Sequence, residues 1–421
     1  MTSWYSLENL PVSLADRRSH YAMLAAAGVL SVGFFLRTLY PNQHLENKVL
    51  PSPLAATRSS NIDNHSHPLP LDVLPGARDV QSPYGSSRVY EWGPEDGPKM
   101  LLVHGITTPC VSLGGLAHAL VDRGCRVIVF DLYVSNSSIK HILLTTGLRF
   151  GRGYSDCPSD LPQDERLFTT QIFLALNSSP IPWTGAGSGG FCLVGYSLGG
   201  GIATSFASFF PQLLTALVLL APAGLIRDSH ISFQTRFLYS GGLPDRLLKY
   251  LSGKRLRSGP LSTPKPPSKK LHASDALTEE LPSQGGAETQ ILSRSYPNVT
   301  VPSAVFWQVN NHKGFVQAFV SSMRHGPILG QRQHATWERL GGYLAQQKAL
   351  PVEEQELNGL PSDRVVIMCG ENDPIIVQEE LLEDARATLG NDLTVELFPA
   401  GHEFPSTKYE QVAQSICDLV L

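Results

Sequence analysis

The stretch LVGYSLGGGIATSF, residues 193–206, sets Ser197 between Gly195 and Gly199 and follows them with Gly200 and Gly201. Glycine is costly inside helices and strands because it loses the most backbone freedom on folding. Its density here, straight after the apolar run FCLVG (191–195), marks a chain turning sharply out of a buried strand. Such a turn pushes the Ser197 hydroxyl clear of the backbone and lets the following helix pack close. A glycine-rich turn in some other α/β protein would look the same locally, so the rest of the chain has to discriminate.

Apolar runs recur on both sides: MLLV (100–103), RVIVF (126–130), ALVLLAP (216–222), RVVIMCG (364–370) and LTVELFP (393–399). Runs of this kind, separated by helix-like segments, read as parallel strands covered on both faces. In an open parallel sheet the site lies at the carboxyl ends of the strands. The residues just after each run are His104, Gly105, Ile106 and Thr107; then Asp131; then Tyr196 and Ser197; then Glu371, Asn372 and Asp373; and last Gly401 and His402. A serine, an acid and a histidine thus reach strand ends in the order Ser, Asp, His, the order of an α/β-hydrolase with G-x-S-x-G on a strand-to-helix turn.

Five motifs extend the likeness: HGITT, GRGYSD, GYSLGG, CGENDPIIV and AGHEFP. With NHKGFVQAFVSSMRHGPI (311–328), they make the chain resemble the α/β-hydrolase superfamily, esterase-like and lipase-like serine hydrolases in particular. The resemblance implies an α/β fold with a mostly parallel central sheet, flanking helices and a helical cap insertion. A serine hydroxyl is a poor nucleophile at neutral pH and needs an adjacent base. The resemblance assigns Ser197 as nucleophile, His402 as the base that takes and returns its proton, and Asp373 as the acid that holds the imidazole in one tautomer. Glu371, two residues before Asp373, and Glu403, beside the histidine, compete for the acid's role. For the oxyanion the family supplies one N–H from the residue after the nucleophile, here Leu198. The other comes from the loop after His-Gly, here Ile106 or Thr107. Asp131 and Asp156 read as turn or loop residues.

The function implied is a membrane-anchored serine hydrolase cleaving an ester, thioester or lipid acyl bond. An acyltransferase would use the same residues, and a non-catalytic member would keep only the pocket. Dehalogenase and epoxide-hydrolase chemistry needs a carboxylate at the elbow, which holds a serine.

The remaining composition narrows the partners. The 421 residues are 42% hydrophobic and 17% charged with a net charge of -4, which is globular. With no dense basic run interleaved with aromatics, nucleic acid is not expected as a partner. Lys254, Arg255 and Arg257 read as a solvated loop. Six scattered cysteines without a CxxC pair suggest neither zinc nor a disulfide scaffold. Cys192 and Cys369 read as free core thiols. Residues 185–190, GAGSGG, fit G-x-G-x-x-G but follow PIPWT and precede a strand, so they read as a loop. No cofactor or metal is expected.

Residues 21–36, YAMLAAAGVLSVGFFL, carry no charge and are preceded by Arg17 and Arg18 and followed by Arg37. With Tyr40 as an anchor they read as a signal-anchor helix, 21–40, after a tail of 1–20; a cleaved signal peptide is the alternative. This places the chain at a membrane, in the endoplasmic reticulum or another endomembrane, with orientation open. Sequons at Asn64, Asn136, Asn177 and Asn298 suit a lumenal body. Residues 41–80 read as a linker, 81–225 and 351–421 as the two parts of the core, and 226–350 as the cap, with 255–290 too polar to order. Phe233, Phe237, Phe306, Trp307, Phe315 and Phe319 in the cap suggest an apolar acyl or alkyl group as substrate, or else form the cap's own core. Residues 134–150 are extra relative to similar hydrolases: a lid element, a neutral insertion or sequence foreign to the mature product.

Overall fold

The computed structural model describes residues 49–59, 63–133, 152–158, 160–239, 245–257, 291–312, 314–351, 359–391 and 393–421. The expected tail and membrane segment, the 134–150 insertion and residues 258–290 lie outside them. Among the described residues no helix is long and apolar enough to cross a membrane.

The strands are β1 (Arg78–Ser82), β2 (Gly85–Trp92), β3 (Lys99–Val103), β4 (Arg126–Phe130), β5 (Phe191–Tyr196), β6 (Leu214–Leu220), β7 (Val365–Gly370) and β8 (Thr394–Phe398). They form one sheet in the order β8-β7-β6-β5-β3-β4-β2-β1. All neighbours are parallel except β2, which runs antiparallel to both β4 and β1. The six apolar runs of the sequence become the six parallel strands: β3 to β7 are buried on both faces, while the edge strand β8 is half-buried with Leu397 exposed.

The antiparallel edge has no such run. β2 buries Arg88 and Glu91, and each has a charged partner there. Arg88 pairs with Asp79 of β1 at 2.8 Å, while Glu91 receives Arg78 at 2.7 Å and Arg126 at 3.0 Å. A buried charge is tolerated when it is paired and hydrogen-bonded. Here the pairing stitches β1, β2 and β4 side by side.

Helices α1 (Gly114–Asp122), α2 (Glu165–Asn177) and α3 (Leu198–Phe209) follow β3, precede β5 and follow β5. Between β6 and β7 lie α4 (Phe233–Tyr239), α5 (Asp245–Arg257), α6 (Val301–Asn311), α7 (Phe315–His325) and α8 (Gly330–Lys348). Helices α9 (Gln378–Leu389) and α10 (Tyr409–Val420) complete the chain. α10 packs on α1, and α2, α3, α8 and α9 form a second continuous row.

Three domain expectations change. Residues 41–80 are not all linker: Leu69, Val73 and Leu74 are buried in the main core, and β1 begins at Arg78. Three apolar anchors suffice to dock a segment whose Pro, Ser and His content masks them. The cap is shorter than 226–350. Ile226 and Leu329 form a parallel bridge, and Gly330 N–H donates to the Ile226 carbonyl at 3.0 Å. The excursion therefore leaves and returns at one point, and α8 belongs to the core, packed on α3 and α9. Finally, Lys254, Arg255 and Arg257 lie on α5 rather than on a loop, because buried Leu248, Ser252 and Leu256 give that helix an inner face.

The glycines of the opening stretch sit at close approaches. A Cβ on Gly199 would lie 2.1 Å from the Val103 carbonyl oxygen at the end of β3, and one on Gly195 would lie 2.3 Å from the Gly199 oxygen. The start of α3 thus rests directly on the ends of β3 and β5. Gly199→Ala should destabilise the protein by roughly 1–3 kcal/mol or more, the usual range for forcing atoms into a packed core. A urea denaturation midpoint equal to that of the wild type would show that α3 can shift and that this contact is dispensable.

Candidate active site

Ser197 stands between β5 and α3 with φ 55° and ψ -118°. That backbone conformation is sparsely populated for residues other than glycine and persists only where the surroundings impose it. Here they do so through three hydrogen bonds. Ser197 N–H donates to the Leu220 carbonyl at 3.0 Å, and its own carbonyl accepts from Gly200 N–H at 2.8 Å and Ala223 N–H at 2.9 Å. The elbow is therefore tied to the end of β6 as well as to its own helix.

The loops after β7 and β8 bring Asp373 and His402 to this serine. His402 Nε2 lies 3.0 Å from Ser197 Oγ, and His402 Nδ1 lies 2.6 Å from Asp373 Oδ2. The histidine and aspartate side chains are fully buried. Asp373 Oδ1 accepts from Ile375 N–H at 2.8 Å and Ile376 N–H at 2.9 Å, which fixes the plane of the carboxyl group. A carboxylate at Nδ1 favours the tautomer with hydrogen there, leaving Nε2 to accept the serine proton. Glu371 is exposed, and the contact with the ring is made by Asp373. Glu403 caps the short turn Phe404–Thr407.

The loop after β3 is held plane by plane. Leu132 N–H donates to His104 Nε2 at 3.0 Å, so His104 carries its hydrogen on Nδ1 and donates to the Gly105 carbonyl at 2.9 Å. Carbonyl and N–H point opposite ways across a trans peptide. Fixing the Gly105 carbonyl therefore fixes the direction of Ile106 N–H. The Ile106 carbonyl accepts from Arg152 Nε at 2.9 Å, and the Thr107 carbonyl accepts from Gln308 Nε2 of α6. On the other side, the two bonds to the Ser197 carbonyl fix the plane that carries Leu198 N–H. Leu198 opens α3, where N–H groups have no carbonyl one turn back.

Four residues that had no assigned part in the site do much of this holding. Asp131, in the loop after β4, is buried: its Oδ1 accepts from Cys110 N–H and its Oδ2 from Tyr154 N–H, both at 2.9 Å. Burial pushes its carboxyl upward, opposed by those two bonds. It thereby clips the loop after β3 to residues 152–156. Asp156 likewise accepts from Ser52 N–H at 2.7 Å and Ser86 N–H at 2.8 Å, tying the segment that precedes β1 to the start of β2. Arg152 is fully buried and also donates to Ser322 Oγ at 3.1 Å, while Gln308 Oε1 accepts from Gly153 N–H at 3.1 Å. The GRGYSD motif marked Arg152; Gln308 had no sequence signal, because its partner lies two hundred residues away.

The aromatic residues expected around an acyl group divide. Phe315 and Phe319 are buried in the core, and Trp307 packs its ring on Tyr154 and His67 at 5.2 and 5.1 Å. Phe233 and Phe237 face outward, exposed by 79% and 50%, and do not enclose a pocket. A small recess does lie beside the acid loop, lined by Pro222, Leu225, Ile226, Ile375, Ile376 and Leu381 among others. It flanks the triad rather than covering Ser197, so the chemistry is located by the hydrogen bonds and not by the cavity.

The sequence model of the α/β-hydrolase fold matches residues 185–409, more than half of the chain. The chain belongs to the α/β-hydrolase fold family. Uncharacterized proteins of Mycobacterium tuberculosis and Mycobacterium bovis are 29% identical to this α/β-hydrolase over 178 residues, 42% of its length and 44% of theirs. The match thus spans less than half of those relatives. Among solved structures, a carboxylesterase from Bacillus subtilis is 17% identical, with 83% of this chain and 92% of that one covered at a TM-score of 0.48. The thioesterase domain of the curacin biosynthetic pathway is also 17% identical, with 81% and 98% covered at 0.46. No activity is carried over from them.

The loop of this α/β-hydrolase makes a prediction about acid. Burial, helped by the Arg152 charge, lowers the His104 pKa to about 3. The unfolded chain takes up a proton near pH 6.5 that the folded state refuses until about pH 3. The stability that His104 contributes is therefore complete above pH 6.5 and is lost as pH falls towards 3, on the order of a few kcal/mol. Asp131 acts in the opposite sense, since its raised pKa favours the protonated folded state. The test compares thermal midpoints of wild type and His104→Gln between neutral and acid pH. The wild type should lose more stability than the variant, and parallel curves would contradict the assigned neutral state.

Proposed function

We propose that this chain is a serine hydrolase that cleaves an ester, thioester or lipid acyl bond through Ser197, His402 and Asp373. The carrying observation is the continuous relay of 3.0 Å from Ser197 Oγ to His402 Nε2 and 2.6 Å from His402 Nδ1 to Asp373 Oδ2. In this reading Ser197 Oγ attacks the substrate carbonyl while His402 Nε2 takes its proton. The tetrahedral oxyanion is met by Ile106 N–H and Leu198 N–H. Collapse expels the leaving group, which receives the proton from His402, and leaves Ser197 acylated. Water, deprotonated by the same nitrogen, then releases the acid and restores the serine. Asp373 keeps the ring in its tautomer and stabilises the imidazolium. Acyl transfer differs only in the second nucleophile, an alcohol in place of water.

Each donor of an oxyanion hole is worth about 3–4 kcal/mol where measured. The hydrogen bonds of His104, Arg152 and Gln308 to the loop after β3 support its preorganisation. The apolar acyl or alkyl group proposed as substrate rests on the aromatic content of the cap sequence. Membrane anchoring through residues 21–40 rests on the charge-free run 21–36.

Ser197→Ala and His402→Ala should each abolish labelling by a fluorophosphonate probe while leaving the thermal transition cooperative. Labelling of Ser197→Ala at the wild-type rate would move the nucleophile elsewhere. Asp373→Asn should lower turnover of a p-nitrophenyl ester about ten-thousandfold, as in triads of this kind. Glu371→Gln should have far less effect, and the reverse ranking would reassign the acid. For the anchor, removal of residues 1–40 should release the protein from the membrane pellet. A full-length chain already found in the supernatant after high-speed centrifugation would refute it.

A further inference from the structure

The outer pair of cap helices is inverted. On α5, Leu247, Tyr250, Leu251 and Lys254 fall at i, i+3, i+4 and i+7, one face of the helix, and all four are exposed. The opposite face buries Leu248, Leu256 and the polar Ser252, whose Oγ lies 3.3 Å from Tyr239 Oη of α4. A helix solvated on its outer face carries polar residues there. This one carries two leucines and a tyrosine. α4 repeats the feature: Phe233 and Phe237, one turn apart, are both exposed and stack on each other at 6.4 Å with rings 18° apart. Both helices pack inward on α7, so both apolar faces are turned away from the body.

Charge says what these faces meet. α5 carries Arg246, Lys249, Lys254, Arg255 and Arg257 against the single acid Asp245, in a chain whose net charge is -4. The positive charge is therefore local to the helix that exposes the apolar stripe. Two copies apposed through this face would bring like charges together. Exposed aromatic and aliphatic side chains on a helix rich in Lys and Arg match a helix lying in the plane of an anionic lipid interface.

We propose that the outward faces of α4 and α5 dock on an anionic lipid surface, with Phe233, Phe237, Leu247, Tyr250 and Leu251 entering the headgroup region and Lys254 meeting lipid phosphates. This surface is separate from the triad, and the proposal depends neither on the triad nor on the anchoring proposed for residues 21–40. Docking holds the cap, and with it the approach to Ser197, against the bilayer.

The test is hydrogen–deuterium exchange on the full chain, free and with bilayers of phosphatidylcholine alone or mixed with phosphatidylserine. Amides of 233–239 and 245–257 should exchange more slowly with the mixed bilayers than with phosphatidylcholine, and raised salt should weaken the effect. Leu247→Asp combined with Tyr250→Asp should remove the protection. Lys254→Glu should reduce it about fivefold or more, the worth of one basic residue near anionic lipid. Slowing confined to residues 21–40, with 233–239 and 245–257 unchanged, would be binding through that segment alone and overturns the proposal. Exchange in these helices that ignores bilayers overturns the proposal, as does equal slowing by both lipid mixtures. Protection that instead grows with protein concentration assigns the face to a second copy. Protection of the free chain that is lost on deleting 258–290 assigns it to that segment. Either result overturns lipid docking.

Discussion

Everything at the site depends on the contact between the first turn of α3 and the end of β3. With Gly199 against the Val103 carbonyl, the helix starts where a side chain would hold it off. That approach forces Ser197 into its left-handed conformation and leaves its carbonyl to be claimed by Gly200 and Ala223. The same approach sets Leu198 N–H beside the loop that begins at His104. One close approach thus aligns the serine hydroxyl and two peptide planes at once. Strain of about 1–3 kcal/mol at one residue is small against the packing that imposes it.

The surrounding polar groups are nearly all buried, and this constrains how they can be used. A buried donor or acceptor left without a partner costs about 1–3 kcal/mol. Asp131, Arg152, Gln308 and His104 each make bonds to backbone groups of neighbouring loops rather than to water. A cap residue, Gln308, thereby becomes part of the support for the loop after β3. The loop's shape is consequently a property of core and cap together, and small displacements of α6 would be felt at Ile106 and Thr107.

How much of this was legible follows from the kind of signal each part leaves. The inner parallel strands were readable because burial on both faces writes a continuous apolar run, and half-exposed β8 was readable from the apolar residues on either side of Glu396. The edge strands β1 and β2 were not, because Arg88 and Glu91 interrupt the run, and their partners Asp79, Arg78 and Arg126 are identified only by the pairing itself. Ser197, Asp373 and His402 were nameable because each sits just past a strand within a short motif, and the structure brings them within hydrogen-bond reach. The tie from Gln308 to Thr107 has no local pattern at all. Phe233 and Phe237 were misplaced for a different reason: helical aromatics look alike whether their face turns in or out, and only packing on α7 decides.

The cap consequently has two halves with different physics. α6 and α7 are bound to the site by directional bonds, through Gln308 to Thr107 and Gly153 and through Ser322 to Arg152. Gly201 of α3 adds a steric tie, since a Cβ there would meet the Pro327 carbonyl at 2.1 Å. Displacing these helices breaks several buried hydrogen bonds together. α4 and α5 are joined to each other by the long Tyr239–Ser252 hydrogen bond and rest on α7, where Tyr239 meets the Phe319 ring at 6.4 Å, with much of their apolar surface outside the core. Segments with fewer buried contacts open at lower free energy. Outer-helix motion can therefore occur without disturbing the triad or the loop after β3, so an external surface could position the outer pair while the inner pair keeps Ser197, His402 and the two peptide planes in register.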